Sequence, residues 1–272
     1  MIQQILSRVL PRRLTDYARS NVMFRRMTGV GISKMVSGVG AGLWFNAGPY
    51  GPGYASGNNE QPVQEALTRY LKAGDVFYDI GANVGFFTVI AAKLIAPRGS
   101  VYAFEPVPEN VARLWQNVKL NGFRNVTVIE KAVSHVTGQA ELLITSHPGG
   151  AALSTTTRPP DVKRAITVDV IAIDDLVFQE KLVPPAVVKI DVEGAEIEVL
   201  QGMRRTLREF KPIVIYEIDD EKEESFKRKQ HACDAFLCEL GYQIASLENS
   251  YPNINWIVGH TVATPRQADH LS

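Results

Sequence analysis

A glycine-containing turn after an apolar strand carries the first residues with the chemistry to bind a ligand. The stretch VFYDIGANVGFF, residues 76–87, runs through Asp79 into a turn that contains Gly81, Asn83 and Gly85. In open α/β sheets, ligands bind beyond the carboxyl ends of the strands, often at the first strand-to-helix turn. The stretch therefore predicts a small-molecule site.

The side chains at this turn favour a cationic nucleoside that lacks a phosphate. A dinucleotide needs a glycine where its pyrophosphate meets bare backbone at the helix N-terminus, and Asn83 occupies that position. Asp79 would also repel a phosphate, whereas it can hold the ammonium of S-adenosylmethionine directly or through water. Gly81 and Gly85 let the backbone approach the methionine part of this cofactor.

Glu105 supports the same cofactor from the next strand. It ends the run VYAFE and lies 20 positions after Gly85. A carboxylate about 20 residues past the glycine turn commonly holds the ribose hydroxyls of a bound nucleoside. We therefore expect Glu105 to bind the ribose of S-adenosylmethionine.

Four stretches resemble the FkbM-type S-adenosylmethionine-dependent methyltransferase family. They are GDVFYDIGANVGFFT at 74–88, VYAFEPVPEN at 101–110, VVKIDVEGAEIEVLQG at 187–202 and PIVIYEI at 212–218. The resemblance implies a class I methyltransferase fold, a Rossmann-like three-layer sandwich with a mostly parallel seven-stranded sheet. Its last strand would be antiparallel, and INWIVGH at 254–260 is the candidate for that strand. The resemblance also implies O-methylation of a sugar or a polyketide-like natural product.

Three acids are candidates for the catalytic step. Asp191 follows the apolar strand 186–190, Glu193 lies in the next turn, and Glu217 ends the strand PIVIYE. Methyl transfer aligns the hydroxyl oxygen, the methyl carbon and the sulfur, and the hydroxyl proton is removed as the new bond forms. A carboxylate here can act as the base, orient the acceptor or offset the sulfonium charge, and the sequence leaves these roles open.

A divalent metal ion is a further use of these acids, although the sequence does not favour it. Asp191 with Glu217, Asp219 or Asp220 would supply oxygen ligands at adjacent strand ends. Strand ends also collect acids because they are solvated. Of the five histidines, we consider only His147, in a loop of small and polar residues, as a candidate base.

Alternating strands and helices are predicted to position these residues. Predicted strands lie near 76–80, 100–105, 126–130, 186–191 and 212–218, and predicted helices near 85–96, 108–121 and 194–209, after an earlier helix from Pro62. This alternation is typical of βαβ units in a mostly parallel sheet covered on both faces. Between about 138 and 176 the alternation stops, which predicts an inserted antiparallel pair of strands.

Composition limits the class of partner. The 272 residues are 45% hydrophobic, and 29 basic residues balance 29 acidic ones. We therefore expect a small hydroxylated acceptor, with neither a nucleic acid nor a membrane as the main partner. No apolar stretch reaches spanning length, and Cys233 and Cys238 are predicted to be buried thiols, so a cytoplasmic location is expected.

The predicted organisation has three parts. Residues 1–54 form a basic arm of helix and loop, 55–262 the methyltransferase domain, and 263–272 a polar tail. Two other classes of function fit a similar sheet. One is a nicotinamide-dependent oxidoreductase or epimerase, which Asn83 and Asp79 disfavour, and the other is a module that binds the cofactor without turnover.

Overall fold

The computed structural model describes residues 31–48, 52–146, 150–155, 161–251 and 256–266. In chain order, the strands are β1 (Ile32–Lys34), β2 (Trp44–Asn46), β3 (Val76–Ile80), β4 (Ser100–Phe104), β5 (Val126–Ile129), β6 (Ala132–Val133), β7 (Gly138–Thr145), β8 (Ala151–Leu153), β9 (Val162–Ile171), β10 (Val187–Ile190), β11 (Ile213–Asp220), β12 (Tyr242–Ser246) and β13 (Ile257–Pro265). The helices are α1 (Pro52–Ser56), α2 (Gln61–Tyr70), α3 (Phe86–Ile95), α4 (Pro108–Leu120), α5 (Ile173–Phe178), α6 (Glu196–Gly202), α7 (Arg204–Phe210) and α8 (Glu223–Glu239). His147 and the first 30 residues of the predicted arm lie outside the described residues.

A seven-stranded sheet forms the centre of the protein, in the order β12-β13-β11-β10-β3-β4-β5. Neighbouring strands from β5 to β11 pair in parallel, and β13 runs antiparallel to both β11 and β12. The predicted mostly parallel sheet with an antiparallel last strand is confirmed. β13 overlaps the candidate stretch 254–260 and continues to Pro265, beyond the predicted domain end at 262.

Helices cover both faces of this sheet and give the expected three layers. One apolar core lies against α2, α3 and α4, and includes Leu67, Ile90 and Leu114. The other lies against α5 to α8, and includes Leu207 and Leu237. Because both faces are covered, the central strands are mostly apolar rather than alternating, and Asp79 in β3 and Lys189 in β10 are buried exceptions.

The inserted strands form a second, smaller sheet. β7 and β9 pair antiparallel, as predicted, and they belong to a four-stranded sheet in the order β6-β9-β7-β8. β6 and β8 have two and three residues, which is too short for a periodic signal in the sequence. The predicted helix near 194–209 is two helices, α6 and α7, because Met203 leaves the helical conformation at φ −123° and ψ 18°.

Part of the predicted arm belongs to the main core. β1 and β2 form an antiparallel hairpin, and Phe45 is fully buried in the core that contains α3. Asn117 of α4 and Asn121, which follows α4, fix β2, since their side-chain oxygens accept hydrogen bonds from the backbone N–H groups of Asn46 and Trp44 at 2.7 and 2.8 Å. Residues 31–48 are thus anchored to the domain.

The structure tests the prediction that both cysteines are buried. Cys233 is buried, as predicted, but Cys238 is exposed, so the prediction for Cys238 was wrong. Their spacing places them on different sides of α8, of which only one faces the core.

Within the described ranges, none of the helices combines the length and the apolar character needed to cross a bilayer.

Candidate active site

A cavity of about 1120 Å³ opens at the carboxyl ends of the central strands. The small inserted sheet forms one wall, which includes Leu142 and Leu153. Six of the eight predicted site residues line it, namely Gly81, Asn83, Glu105, Asp191, Glu193 and Glu217. The fold therefore brings together residues that are up to 136 positions apart in the sequence (217 − 81).

The conformation of the glycine turn explains its residue types. Gly81 has φ +79°, and a Cβ there would lie 1.8 Å from the carbonyl oxygen of Asp191, so only glycine lets β3 and β10 end side by side. Gly85 has φ +86°, and its Cβ would lie 2.9 Å from the side chain of Leu114. Asn83 also has a positive φ, 50°, which asparagine tolerates better than most residues. Gly85 packs against α4 and is not among the lining residues of the cavity.

Glu105 joins the ends of β3 and β4 across this turn. Its Oε2 accepts a hydrogen bond from the backbone N–H of Asn83 at 2.8 Å, and its Oε1 accepts from the N–H of Val107 at 2.9 Å and from Asn110 at 3.3 Å. Burial raises the pKa of Glu105 to about 7, although these three donors lower it. The carboxyl group is thus fixed at the mouth of the turn.

Asp79 lies beneath the cavity floor, with 1% of its surface exposed. Thr88 donates a hydrogen bond to its Oδ2 at 2.5 Å, and burial raises the pKa of the carboxyl group. Its Oδ1 has no hydrogen-bond partner among the described residues. This oxygen therefore retains its capacity to accept a hydrogen bond.

Lys189 supplies a buried positive charge between the acids. Its Nζ donates to Asp191 Oδ2 at 2.7 Å and lies 4.7 Å from the centre of the Phe87 ring. Burial alone would lower the pKa of Lys189, but Asp191, Asp79 and Glu60 raise it overall. Lys189 and Asp191 thus form an ion pair at this end of the sheet.

Two of the predicted catalytic acids favour the protonated form. Glu193 is exposed by its accessible surface but is surrounded by the cavity walls. The resulting loss of solvation, together with the nearby charges of Asp219, Asp191 and Glu217, raises the pKa of Glu193 well above its usual value. Burial and the charge of Asp191 raise the pKa of Glu217 to about 8. Asp191 carries the direct ion pair with Lys189. The three acids therefore differ in their electrostatic surroundings.

Glu60 and His260 were not among the site residues predicted from the sequence. His260 Nε2 lies 2.5 Å from Glu217 Oε2 and 3.2 Å from Glu60 Oε2. Although burial opposes its charge, the carboxylates of Glu217 and Glu60 raise the pKa of His260 to about 10. His260 lies directly opposite Glu217 in the register of β13 and β11, and this offset between the strands is not encoded in either sequence stretch. Glu60 precedes α2 and left no signal in the sequence either.

The predicted metal ligands are not arranged as a set in the described part of the chain. Lys229 forms an ion pair with Asp220 at 2.8 Å, and Trp256 donates to Asp219 at 2.6 Å. The ligand atoms that do converge, within 4.8 Å of one another, belong to Glu60, Glu217 and His260. Only Glu217 is shared with the predicted set.

Comparisons with known proteins agree with the positions of these motifs. The model of the methyltransferase FkbM domain matches residues 79–244. The chain is 30% identical over 156 residues to the hexuronic acid methyltransferase AglP of Haloferax volcanii. This alignment covers 57% of this chain and 61% of that protein. It is also 30% identical over 160 residues to the 31-O-demethyl-FK506 methyltransferase FkbM of Streptomyces tacrolimicus. This second alignment covers 49% of this chain and 61% of that protein.

The aligned part thus spans about three fifths of the length of both curated relatives. Among solved structures, the methyltransferase FkbM from Methylobacillus flagellatus is similar, with a TM-score of 0.49 and 20% sequence identity. That similarity covers 71% of this chain and 44% of the other.

Proposed function

Since the chain belongs to the FkbM methyltransferase family, we propose that it transfers the methyl group of S-adenosylmethionine to a hydroxyl of a sugar or a polyketide-like natural product. One relative is named for a hexuronic acid and the other for 31-O-demethyl-FK506, which supports an oxygen acceptor. We assign the activity to the predicted domain at 55–262, with β13 completing its sheet.

The single observation that carries this proposal is the arrangement of Glu105 and the glycine turn. Glu105 bridges to the backbone of Asn83 at 2.8 Å on the cavity wall. Ribose hydroxyls are donors, and each carboxylate oxygen can accept more than one hydrogen bond. The turn at Gly81 brings bare backbone to the cavity. A nucleoside bound there would have its ribose at Glu105.

The methionine end of the cofactor would lie over Gly81, towards the acids. Asp79 is buried beneath the floor, and its Oδ1 has no hydrogen-bond partner in the described chain, so we expect it to accept a hydrogen bond from the cofactor ammonium through water rather than directly. The cavity then continues past Asp191, Glu193 and Glu217. Carboxyl groups at this end complement the positive charge of a sulfonium.

The reaction we propose is an in-line displacement in which Asp191 acts as the base. The acceptor oxygen forms a bond to the methyl carbon, the carbon–sulfur bond breaks, and its electron pair stays on sulfur. The hydroxyl proton passes to a carboxylate. Burial and neighbouring acids raise the pKa of Glu217 to about 8 and that of Glu193 well above its usual value. Asp191 lines the cavity and is paired with the ammonium of Lys189 at 2.7 Å, so we assign the role of the base to Asp191, while Glu193 and Glu217 orient the acceptor's hydroxyls.

The test is product formation with methyl-labelled S-adenosylmethionine. The purified chain is incubated with oligosaccharides that contain hexuronic acids and, separately, with hydroxylated polyketides. We expect a product that has gained one methyl group on oxygen, located by mass spectrometry and NMR, with the Asp191→Asn protein as the inactive control. Methylation on nitrogen or carbon would contradict the proposed acceptor atom. Tight binding of the cofactor with no product from any hydroxylated acceptor would favour a binding module.

A further inference from the structure

Three buried side chains converge behind the acceptor end of the cavity. Nε2 of His260 lies 2.5 Å from Glu217 Oε2 and 3.2 Å from Glu60 Oε2. The side chains of His260 and Glu60 are 1% and 4% exposed. We call Glu60, Glu217 and His260 the carboxylate–histidine cluster.

The scaffold fixes each member of this cluster from a different element. Glu217 and His260 are directly opposed residues of the antiparallel strands β11 and β13. Glu60 precedes α2, and its Oε1 accepts hydrogen bonds from Tyr251 at 2.7 Å and from Asn59 at 2.8 Å. These two donors leave the other oxygen, Oε2, directed at the imidazole. Partners of this kind orient the ligands of metal sites.

The orientation of the imidazole is the observation that points to an ion. Among the described residues, neither Glu60 Oε2 nor His260 Nε2, both buried, has a hydrogen-bond partner of acceptable geometry, although these two atoms are 3.2 Å apart. A protonated imidazole would direct its N–H at one carboxylate, because buried donors and acceptors left unpaired cost free energy. Here the carboxylate oxygens lie close to the nitrogen but off its N–H direction.

An ion accounts for this arrangement. Zinc lies about 2.1 Å from imidazole nitrogen and carboxylate oxygen. At the tetrahedral angle that zinc adopts in proteins, two such ligand atoms are about 3.4 Å apart, and each lies well off the line from the other to the metal. The 3.2 Å between His260 Nε2 and Glu60 Oε2 is close to this separation, whereas the 2.5 Å to Glu217 Oε2 is shorter, so Glu217 would move back as the ion enters.

We propose that the carboxylate–histidine cluster binds a divalent transition-metal ion through His260 Nε2 and the Oε2 atoms of Glu60 and Glu217. On binding, the ion takes the place of the imidazole proton, and the two carboxylates offset its charge. Imidazole with carboxylates suits zinc or manganese rather than calcium or magnesium. The nearby ammonium of Lys189 is compensated by Asp191 at 2.7 Å.

Three protein ligands leave a coordination position for a further molecule. Glu60, Glu217 and Tyr251 line the cavity, so that position faces the space assigned to the acceptor. Use of the ion to bind an acceptor hydroxyl rests on the proposed function. Binding of the ion does not, because it needs neither the cofactor nor turnover.

The experiment measures metal uptake by the full chain without cofactor. The protein is stripped with chelator and titrated by calorimetry with Zn²⁺ and, separately, with Mn²⁺, and bound metal is counted by mass spectrometry after dialysis. Glu60→Gln and His260→Gln each remove one ligand atom while keeping a similar shape. Glu224→Gln makes the same chemical change at an exposed acid of the same cavity. Binding of S-adenosylmethionine in chelator, measured in parallel, tests the cofactor site and the folding of each variant.

We expect one ion per wild-type and Glu224→Gln chain, and affinity about tenfold or more weaker in both ligand variants, since even outer-shell changes cost about that much. X-ray absorption of the loaded wild-type protein should show one imidazole and otherwise oxygen ligands. No uptake by the wild type overturns the proposal, as does uptake that either ligand variant leaves unchanged. Sulfur ligands from Cys233 or Cys238 in the absorption spectrum would also overturn it. None of these outcomes depends on methyl transfer.

Discussion

The carboxylate of Glu105 and the backbone N–H of Asn83 form a hydrogen bond of 2.8 Å that ties the end of β4 to the turn after β3. Twenty-two residues separate the two along the chain. The bond fixes the turn in the conformation that exposes its backbone, and it holds the acid where a ribose would lie. One residue thus shapes the site and offers it a binding group.

Replacement of Glu105 should weaken binding of S-adenosylmethionine. Glu105→Ala removes the acceptor for the ribose hydroxyls and leaves the N–H of Asn83 without its partner. Hydrogen bonds to a charged group are each worth about 1.5–3 kcal/mol, so we expect affinity about tenfold to a hundredfold lower by calorimetry. Glu109→Ala, at an exposed acid near the start of α4, is the matched control and should bind normally. Equal affinity of both variants and the wild type would place the ribose elsewhere.

Binding of S-adenosylmethionine should also depend on pH near neutrality. Burial raises the pKa of Glu105 to about 7, and only the ionised form accepts hydrogen bonds at both oxygens. Protonation therefore opposes binding, and affinity should fall as the pH is lowered through about 7. Calorimetric titrations at about pH 6 and about pH 8, on either side of this pKa, measure the change. In Glu105→Gln, which has no carboxyl group at this position, the affinity should no longer change with pH for this reason. A wild-type affinity that stays constant over this range would contradict the assignment.

Gly81→Ala should destabilise the fold more than a glycine substitution in open space. Its Cβ would lie 1.8 Å from the carbonyl oxygen of Asp191, and φ is +79°. Gly74 has φ +96° with nothing within 4 Å of an added Cβ, so Gly74→Ala carries the conformational cost alone, about 1 kcal/mol. We expect Gly81→Ala to lower the free energy of unfolding in urea by clearly more than this control. Similar losses in the two proteins would mean that β3 and β10 separate easily.

Asp191→Asn should impair turnover more than cofactor binding. The amide keeps the size of the side chain but cannot take the acceptor's proton, and a positioned base contributes about 10²- to 10⁴-fold to rate. We expect kcat to fall by about a hundredfold or more, with little change in the affinity for S-adenosylmethionine. Glu193→Gln, with its raised wild-type pKa, should lose far less in kcat. Equal losses of turnover and cofactor affinity in Asp191→Asn would assign Asp191 to binding instead.

Sequence patterns predicted the elements whose signal is local. Apolar runs bounded by glycine, proline or acids located β3, β4, β5, β10 and β11, and motif spacing placed Asp191 and Glu217 at one edge of the sheet. The two-residue β6 and three-residue β8 are too short to have a period. β12 was not predicted, because Tyr242, Gln243, Ile244, Ala245 and Ser246 form only a short, mixed run.

Contacts between residues that are far apart in the sequence could not be predicted, because tertiary packing sets them. Glu60 enters the site because α2, which follows it, packs against β11, and its partner Tyr251 lies 191 residues away. The burial of Asp79 beneath the floor depends on Lys189 and Thr88, which come from two other elements. Asn83 was interpreted by its polarity, whereas its positive φ gives a second reason for asparagine there. Predicting such contacts and conformations requires the path of the backbone as well as the residue types.

The most direct test of the central claim is a calorimetric titration of the purified chain with S-adenosylmethionine and, separately, with NADH. A phosphate-free cationic nucleoside held at Glu105 predicts saturable heat at one S-adenosylmethionine per chain and none for NADH. Saturable heat from NADH with no response to S-adenosylmethionine would contradict the account.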